Sequence, residues 1–201
     1  IVGYSYVGLP PQLPPAYAKY QSEQFTVSQP INAGSAHLYG FEVAYTQQYT
    51  FLPGAWRGLG LSANYSYTDS GTGGVPGRSD HPHLVRQAPN TWNVSPTYDY
   101  KRFSLRVGLS YNQANIHNYQ YQDGIGGGIK GPLSDTYFYT HFQVDAQGTY
   151  TWKYGLTFVV YGMNLNNEVF GFYNGSPQYM IQREYYTPTY GFGLRWSPAA
   201  R

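Results

Sequence analysis

The 201-residue chain is 41% apolar and only 11% charged, with a formal net charge of +2, and it holds 24 Tyr, 10 Phe, 4 Trp, 24 Gly and no Cys. An ordinary soluble domain is about a quarter charged, so a strongly solvated globule is disfavoured; the aromatic content argues against disorder, and the small net charge argues against binding nucleic acid by charge. No run approaches the roughly 18 apolar residues of a membrane helix, and without cysteine there is no disulfide, redox pair or thiolate metal site.

Period-2 alternation, which points successive side chains to opposite faces of a strand, dominates the chain. A short segment at 1–7 and a weak one at 22–32 open it. Residues 41–51 set Phe41, Val43, Tyr45, Tyr49 and Phe51 against Glu42, Ala44, Thr46, Gln48 and Thr50. Residues 59–68 set Leu59, Leu61, Ala63, Tyr65 and Tyr67 against Gly60, Ser62, Asn64, Ser66 and Thr68. A weaker strand at 89–100 contains Pro96, which predicts a bulge or a locally broken ladder. The pattern returns at 103–112, where Phe103 to Tyr111 alternate with Ser104, Arg106, Gly108 and Ser110, and at 141–152 with Phe142, Val144, Ala146, Tyr150 and Trp152 on one face. Residues 154–165 are apolar on both faces. Tyr190, Phe192, Leu194 and Trp196 close the series, giving eight strands with 1–7 as a ninth.

The connections alternate in length. Tight turns at 52–56, 101–102 and 153–154 face long loops at 70–88, 113–136 and 167–185. Long strands, alternating faces and short turns at one end predict an antiparallel transmembrane β-barrel wall, apolar face to lipid and polar face to the interior. Two features support this over a secreted aromatic-rich sugar-binding β-sandwich. The outward side chains are large and aromatic, without the Lys and Glu of a soluble sheet; and Trp56, Trp152 and Trp196 all fall at the short-turn end, where a membrane-interface girdle belongs. Trp92 does not.

Several stretches then resemble one family. SQPIN at 28–32, GFEVAYTQQYTFLPG at 40–54, GLGLSANYSYTDS at 58–70, APNTWNVSPTYDY at 88–100, FSLRVGLSYN at 103–112, VDAQGTYTW at 144–152, NLNNEVFGFY at 164–173 and YGFGLRW at 190–196 are similar, in order and spacing, to the C-terminal barrel of TonB-dependent outer-membrane receptors. The departures are Pro96 at an apolar strand position and the five residues after Trp196, where the family ends on an aromatic. The resemblance implies an outer-membrane receptor and transporter that takes up a scarce nutrient (a ferric chelate, a cobalamin or an oligosaccharide). It also implies outer-membrane lipid, a plug domain of the same chain and TonB as partners. Such barrels have about 22 strands, so residues 1–201 are expected to form a C-terminal segment without its plug. A complete eight-stranded barrel serving as adhesin or anchor is the alternative, disfavoured because Gly and Ser would underfill its narrow interior.

Glu42, Arg106, Asp145 and Arg195 fall on the polar face, where they would meet plug or substrate or form a charge network within the wall. Tyr119, Tyr121, Phe172, Tyr173 and Tyr179 lie in long loops and would either stack on a nutrient or pack the loops. No cofactor, metal or catalytic residues are expected. GGGIKG at 126–131 has the spacing of a phosphate loop but no helix to follow it. Asp80, His81 and His83 lack further ligands at metal spacing. His141 and Asp145 are roughly 13 Å apart along a strand, too far for a dyad.

Overall fold

A computed structural model describes the backbone of residues 2–8, 24–30, 34–120 and 131–197, and the side chains of 34–120 and 131–197. Among these residues all regular structure is antiparallel β apart from short 3-10 turns. The strands are β1 (Val2–Gly8), β2 (Gln24–Pro30), β3 (Ala36–Gln48), β4 (Leu59–Thr72), β5 (Asn90–Tyr100), β6 (Phe103–Asn112), β7 (Asn115–Asn118), β8 (Thr136–Phe138), β9 (His141–Thr151), β10 (Leu156–Met163), β11 (Val169–Asn174), β12 (Met180–Tyr185) and β13 (Thr189–Trp196).

Seven strands form one sheet in the order β13-β10-β9-β6-β5-β4-β3, which does not close among the described residues. Among the described residues β1 and β2 pair with each other, and the segment expected at 22–32 is a strand that is not paired to this wall there. The register carries the two-faced pattern across strands. Val43, Tyr65, Trp92, Tyr111 and Phe142 stand in one row on the apolar face. Ala44, Asn64, Asn93, Ser110 and Gln143 form the neighbouring row on the polar face.

The apolar face is bare: Phe41 is 55% exposed, Val43 57% and Phe192 77%. So large an exposed apolar surface suits a non-aqueous surround. Aromatics gather at both ends of it. Trp92 stacks on Tyr111 at 5.3 Å and meets Phe142 at 5.7 Å, beside Phe41 with Tyr65 and Tyr67. At the other end Tyr98, Tyr100, Phe103, Tyr150 and Trp152 form contiguous pairs or stand opposite one another. From Trp92 to Tyr100 the strand rises about 27 Å; tilted by about 40°, that is roughly 20 Å of depth, close to the apolar band of a membrane barrel. Trp92, which does not fit the short-turn girdle, belongs to the opposite belt.

Pro96 breaks the ladder without a bulge. β5 pairs with β6 over 91–94 and again over 97–100 in one unchanged register, and the intervening pairs at Ser95 and Pro96 are missing. A proline has no N–H to give. The double-sided apolar pattern of 154–165 also has a cause: Tyr161, on the polar face, lies over Gly191, where an added Cβ would sit 2.3 Å from the Tyr161 ring.

The long loops at 113–136 and 167–185 differ from expectation. They contain a second sheet, β12-β11-β8-β7, whose order repeats β13-β10-β9-β6, so the four strands continue past an interruption. Alternation is invisible there because both faces are aromatic. Phe138, Phe172 and His117 cluster with ring centroids 4.7–4.9 Å apart, and Tyr137 stacks on Tyr173 behind them at 5.3 Å. The chain's small buried core lies at this end: Val75, Ile116, Tyr173 and Asp135 are all under 8% exposed.

Candidate functional site

The interruption between the two sheets is made by the NLNNE segment. Past Gly162 the β10 backbone leaves β9, and side chains take over the ladder. Asn166 Oδ1 accepts the Val144 N–H at 3.0 Å while its Nδ2 donates to Phe142 O at 2.6 Å. The Leu165 N–H donates to Val144 O at 2.7 Å, and the Phe142 N–H donates to Glu168 Oε1 at 3.2 Å. Asn164, at φ 54°, receives the Glu168 N–H on Oδ1 at 2.7 Å and donates from Nδ2 to the Glu168 and Tyr186 carbonyls. Asn is among the residues that tolerate this left-handed backbone, and its amide replaces the bonds the kink removes.

A second clasp joins the loop at 73–88 to the loop before β8. Arg78 donates from Nε and Nη2 to Asp80 at 2.8 and 2.5 Å, and from Nη1 to Asp135 Oδ1 at 2.5 Å. The Arg78 side chain is 1% exposed and that of Asp135 is 0%. Asp135 Oδ1 also receives the Gln120 N–H at 2.7 Å, and the guanidinium lies 5.6 Å from the Tyr119 ring centre. The two carboxylates hold Arg78 well above its ordinary range, and Arg78 holds Asp80 below the usual carboxylate range. Residues 73–88 are therefore braced and not merely a solvated loop. Asp80 is engaged by Arg78, and His83 Nδ1 faces Ser70 O at 2.6 Å. Among the described residues no group of three or more acidic or His side chains is placed to hold one.

The expected polar-face charges share one face but do not meet. Asp145 accepts from Gln143 Nε2 at 2.9 Å and from the Asn164 N–H at 2.8 Å. Arg106 stands 3.8 Å from Asp99, Glu42 accepts from Ser66 at 3.4 Å, and Arg195 lies opposite Thr157. His141 faces Glu168 at 3.7 Å and does not face Asp145. At the short-turn end Trp56, Trp152 and Trp196 are 66%, 51% and 68% exposed, and the Trp196 indole donates to Tyr154 O at 3.1 Å.

The loop aromatics divide. Tyr119 donates to His83 O at 2.7 Å, Tyr173 is packed against Tyr137 and Tyr139, Phe172 joins the Phe138 cluster, and Tyr179 is 62% exposed. Burial pushes the Tyr119, Tyr137 and Tyr173 phenols up, keeping them protonated. Tyr121 and most of the GGGIKG stretch lie outside the described residues. Sequence reading missed Arg78, Asp135 and Arg86; a basic residue in a Gly- and Pro-rich loop was the only available hint.

At the mouth of the polar face a hollow of about 300 Å³ is lined by Arg86, Ala88, Asn112, Asn115, Phe138, Tyr139, His141 and Phe170. It is supplied by the loop before β5, the end of β6 with β7, the start of β9 and the distal sheet with Tyr139.

The chain matches the family described as TonB dependent receptor-like, beta-barrel, over residues 8–167. No curated protein and no solved structure matches it.

Proposed function

The chain belongs to the TonB dependent receptor-like β-barrel family, and from that premise we propose that it supplies wall and loops to an outer-membrane receptor for TonB-dependent uptake of a scarce small-molecule nutrient. The family is one of outer-membrane transporters and receptors, not an enzyme class. The observation that carries the reading is the two-faced wall: a bare apolar face with an aromatic belt at each end, backed by Ser, Asn, Gln and Thr rows in continuous register. On this reading the apolar face meets outer-membrane lipid in a bacterial cell, with Trp56, Trp152 and Trp196 at its periplasmic interface. Glu42, Arg106, Asp145 and Arg195 then face the lumen and the plug. Residues 1–201 form a segment of a larger barrel, because β3 and β13 each keep an unpaired edge among the described residues and lipid does not tolerate open edges.

The nutrient is a ferric chelate, a cobalamin or an oligosaccharide, met first by the loop aromatics Phe172 and Tyr179. The test is expression of the full-length protein in a bacterium, separation of inner and outer membranes, and uptake of each labelled nutrient with and without TonB. Recovery in the outer membrane with TonB-dependent uptake of one nutrient is the expected result. A protein that stays soluble without detergent, or uptake that ignores TonB, overturns the reading.

A further inference from the structure

The hollow at the mouth has a composition that points to a class of ligand. Its floor is aromatic: Phe138 and Phe170 lie 5.6 Å apart at 49°, continuous with Phe172 and the edge of His117. Rings of this kind accept another flat ring by offset or edge contact. Its rim carries one strong cation, Arg86, whose side chain makes no hydrogen bond or ion pair with any described residue.

The carboxylates nearby are already engaged. Glu168 takes the Phe142 N–H and faces His141, and Glu184 accepts from Gln182 and Tyr186. Arg86 is exposed at the rim and open to a ligand. Its backbone sits at φ 59°, a conformation unusual for a residue with a Cβ, and is held there by its N–H to Ile116 O at 2.6 Å. Strained backbone that the surroundings enforce tends to mark ligand sites. Beside it, Asn115 Oδ1 is buried without a hydrogen-bond partner, although its amide nitrogen is satisfied by Gln113 O. His117, against the aromatic floor, adds no charge there, since burial and Arg86 both lower its pKa; His141 in the lining faces Glu168.

We propose that this hollow is a recognition subsite for a planar, ring-bearing carboxylate, its ring on Phe138 and Phe170 and its carboxylate on the Arg86 guanidinium. A guanidinium fork binds a carboxylate through two parallel hydrogen bonds. The aromatic floor favours an aromatic ring over a saturated one, and the Arg86 cation favours an acid over a neutral ligand. The proposal rests on the receptor reading only for where the ligand comes from; the site itself is a property of the fold.

The test uses the full-length protein in detergent and three probes: 2-naphthoate, 2-naphthylmethanol and cyclohexanecarboxylate, with binding read by calorimetry. The expected result is that 2-naphthoate binds about tenfold or more tighter than either other probe. Arg86→Gln should weaken 2-naphthoate about tenfold and leave 2-naphthylmethanol unchanged, while Phe170→Leu weakens both naphthyl probes. Equal affinity for the acid and the alcohol, an unaltered Arg86→Gln variant or no binding of 2-naphthoate at millimolar concentration overturns the proposal. Membrane fractionation on the same preparations separates the two readings. An outer-membrane protein that ignores 2-naphthoate sinks the subsite alone, and a protein that binds it but never reaches the outer membrane sinks the receptor reading alone.

Discussion

Asn166 acts as a strand residue toward Val144: its side-chain amide reproduces the acceptor that a β10 carbonyl would have offered, at 3.0 Å, and its other end donates to Phe142 O at 2.6 Å. Replacing it by Ala strands the Val144 N–H and the Phe142 carbonyl. Because the site is exposed, water recovers part of the loss, so the expected cost is about 1 kcal/mol, not the larger penalty of a fully buried orphan. Hydrogen exchange should quicken at Val144, whose N–H loses its acceptor, while the Phe142 N–H stays on Glu168 Oε1 and the protection of β4 and β5 stays as it was. Unchanged exchange at Val144 would show that the side chain does not substitute for the ladder.

The Arg78–Asp135 pair predicts a different phenotype. Asp135→Ala leaves a guanidinium that is 1% exposed with only Asp80 to satisfy it. Losing one partner of a buried pair costs on the order of 3 kcal/mol, and here the loss falls on the contact between two loops. Limited proteolysis of the variant should therefore cut within 73–88, while the barrel unfolds at its usual temperature. Protection equal to that of the parent would remove the clasp from the account.

The same clasp has a pH signature. Arg78 lowers the Asp80 pKa when the loops are closed, so the opened state binds the proton more readily. The Asp80 contribution is thus complete above the ordinary carboxylate value of about 4 and is lost as pH falls through the lowered value. Arg78 stays charged throughout. Protease sensitivity of residues 73–88 should be flat from neutral pH down to about pH 4 and should rise only below it. A rise centred near pH 6 would assign the change to a histidine instead.

How far the sequence was legible follows from these particulars. β4, β6 and β9 could be read because lipid on one side and a polar interior on the other impose strict alternation, and their register matches it. β11 could not, because Phe172 on one face and Tyr173 on the other erase the period, whereas the run at 137–139 does read as a strand and corresponds to β8. Arg78 and Asp135 are 57 positions apart, a separation across which no local pattern reports. Asn166 lies inside a stretch whose family resemblance was plain. Its work remained hidden because a side chain that imitates backbone leaves no periodic trace.

Gly40 and Gly193 should respond oppositely to one added methyl. Gly40 opens the Gly-Phe-Glu run of β3 opposite Thr68, and a Cβ there would fall 2.1 Å from Tyr67 O and 3.0 Å from Thr68 Cα. Both obstacles are backbone, so β3 cannot keep its distance from β4. Overpacking of this kind costs about 1–3 kcal/mol, and here it falls on an edge strand of the wall. At Gly193 nothing lies within 4 Å of the same added atom. Gly40→Ala should lower both the folded yield in the outer membrane and the unfolding temperature. Gly193→Ala should leave them unchanged or slightly raised, since alanine restricts the unfolded chain. Heat-modified mobility of the two full-length variants on gels, measured side by side, would decide it: equal behaviour would mean that the close approach of β3 to β4 is not what requires glycine at position 40.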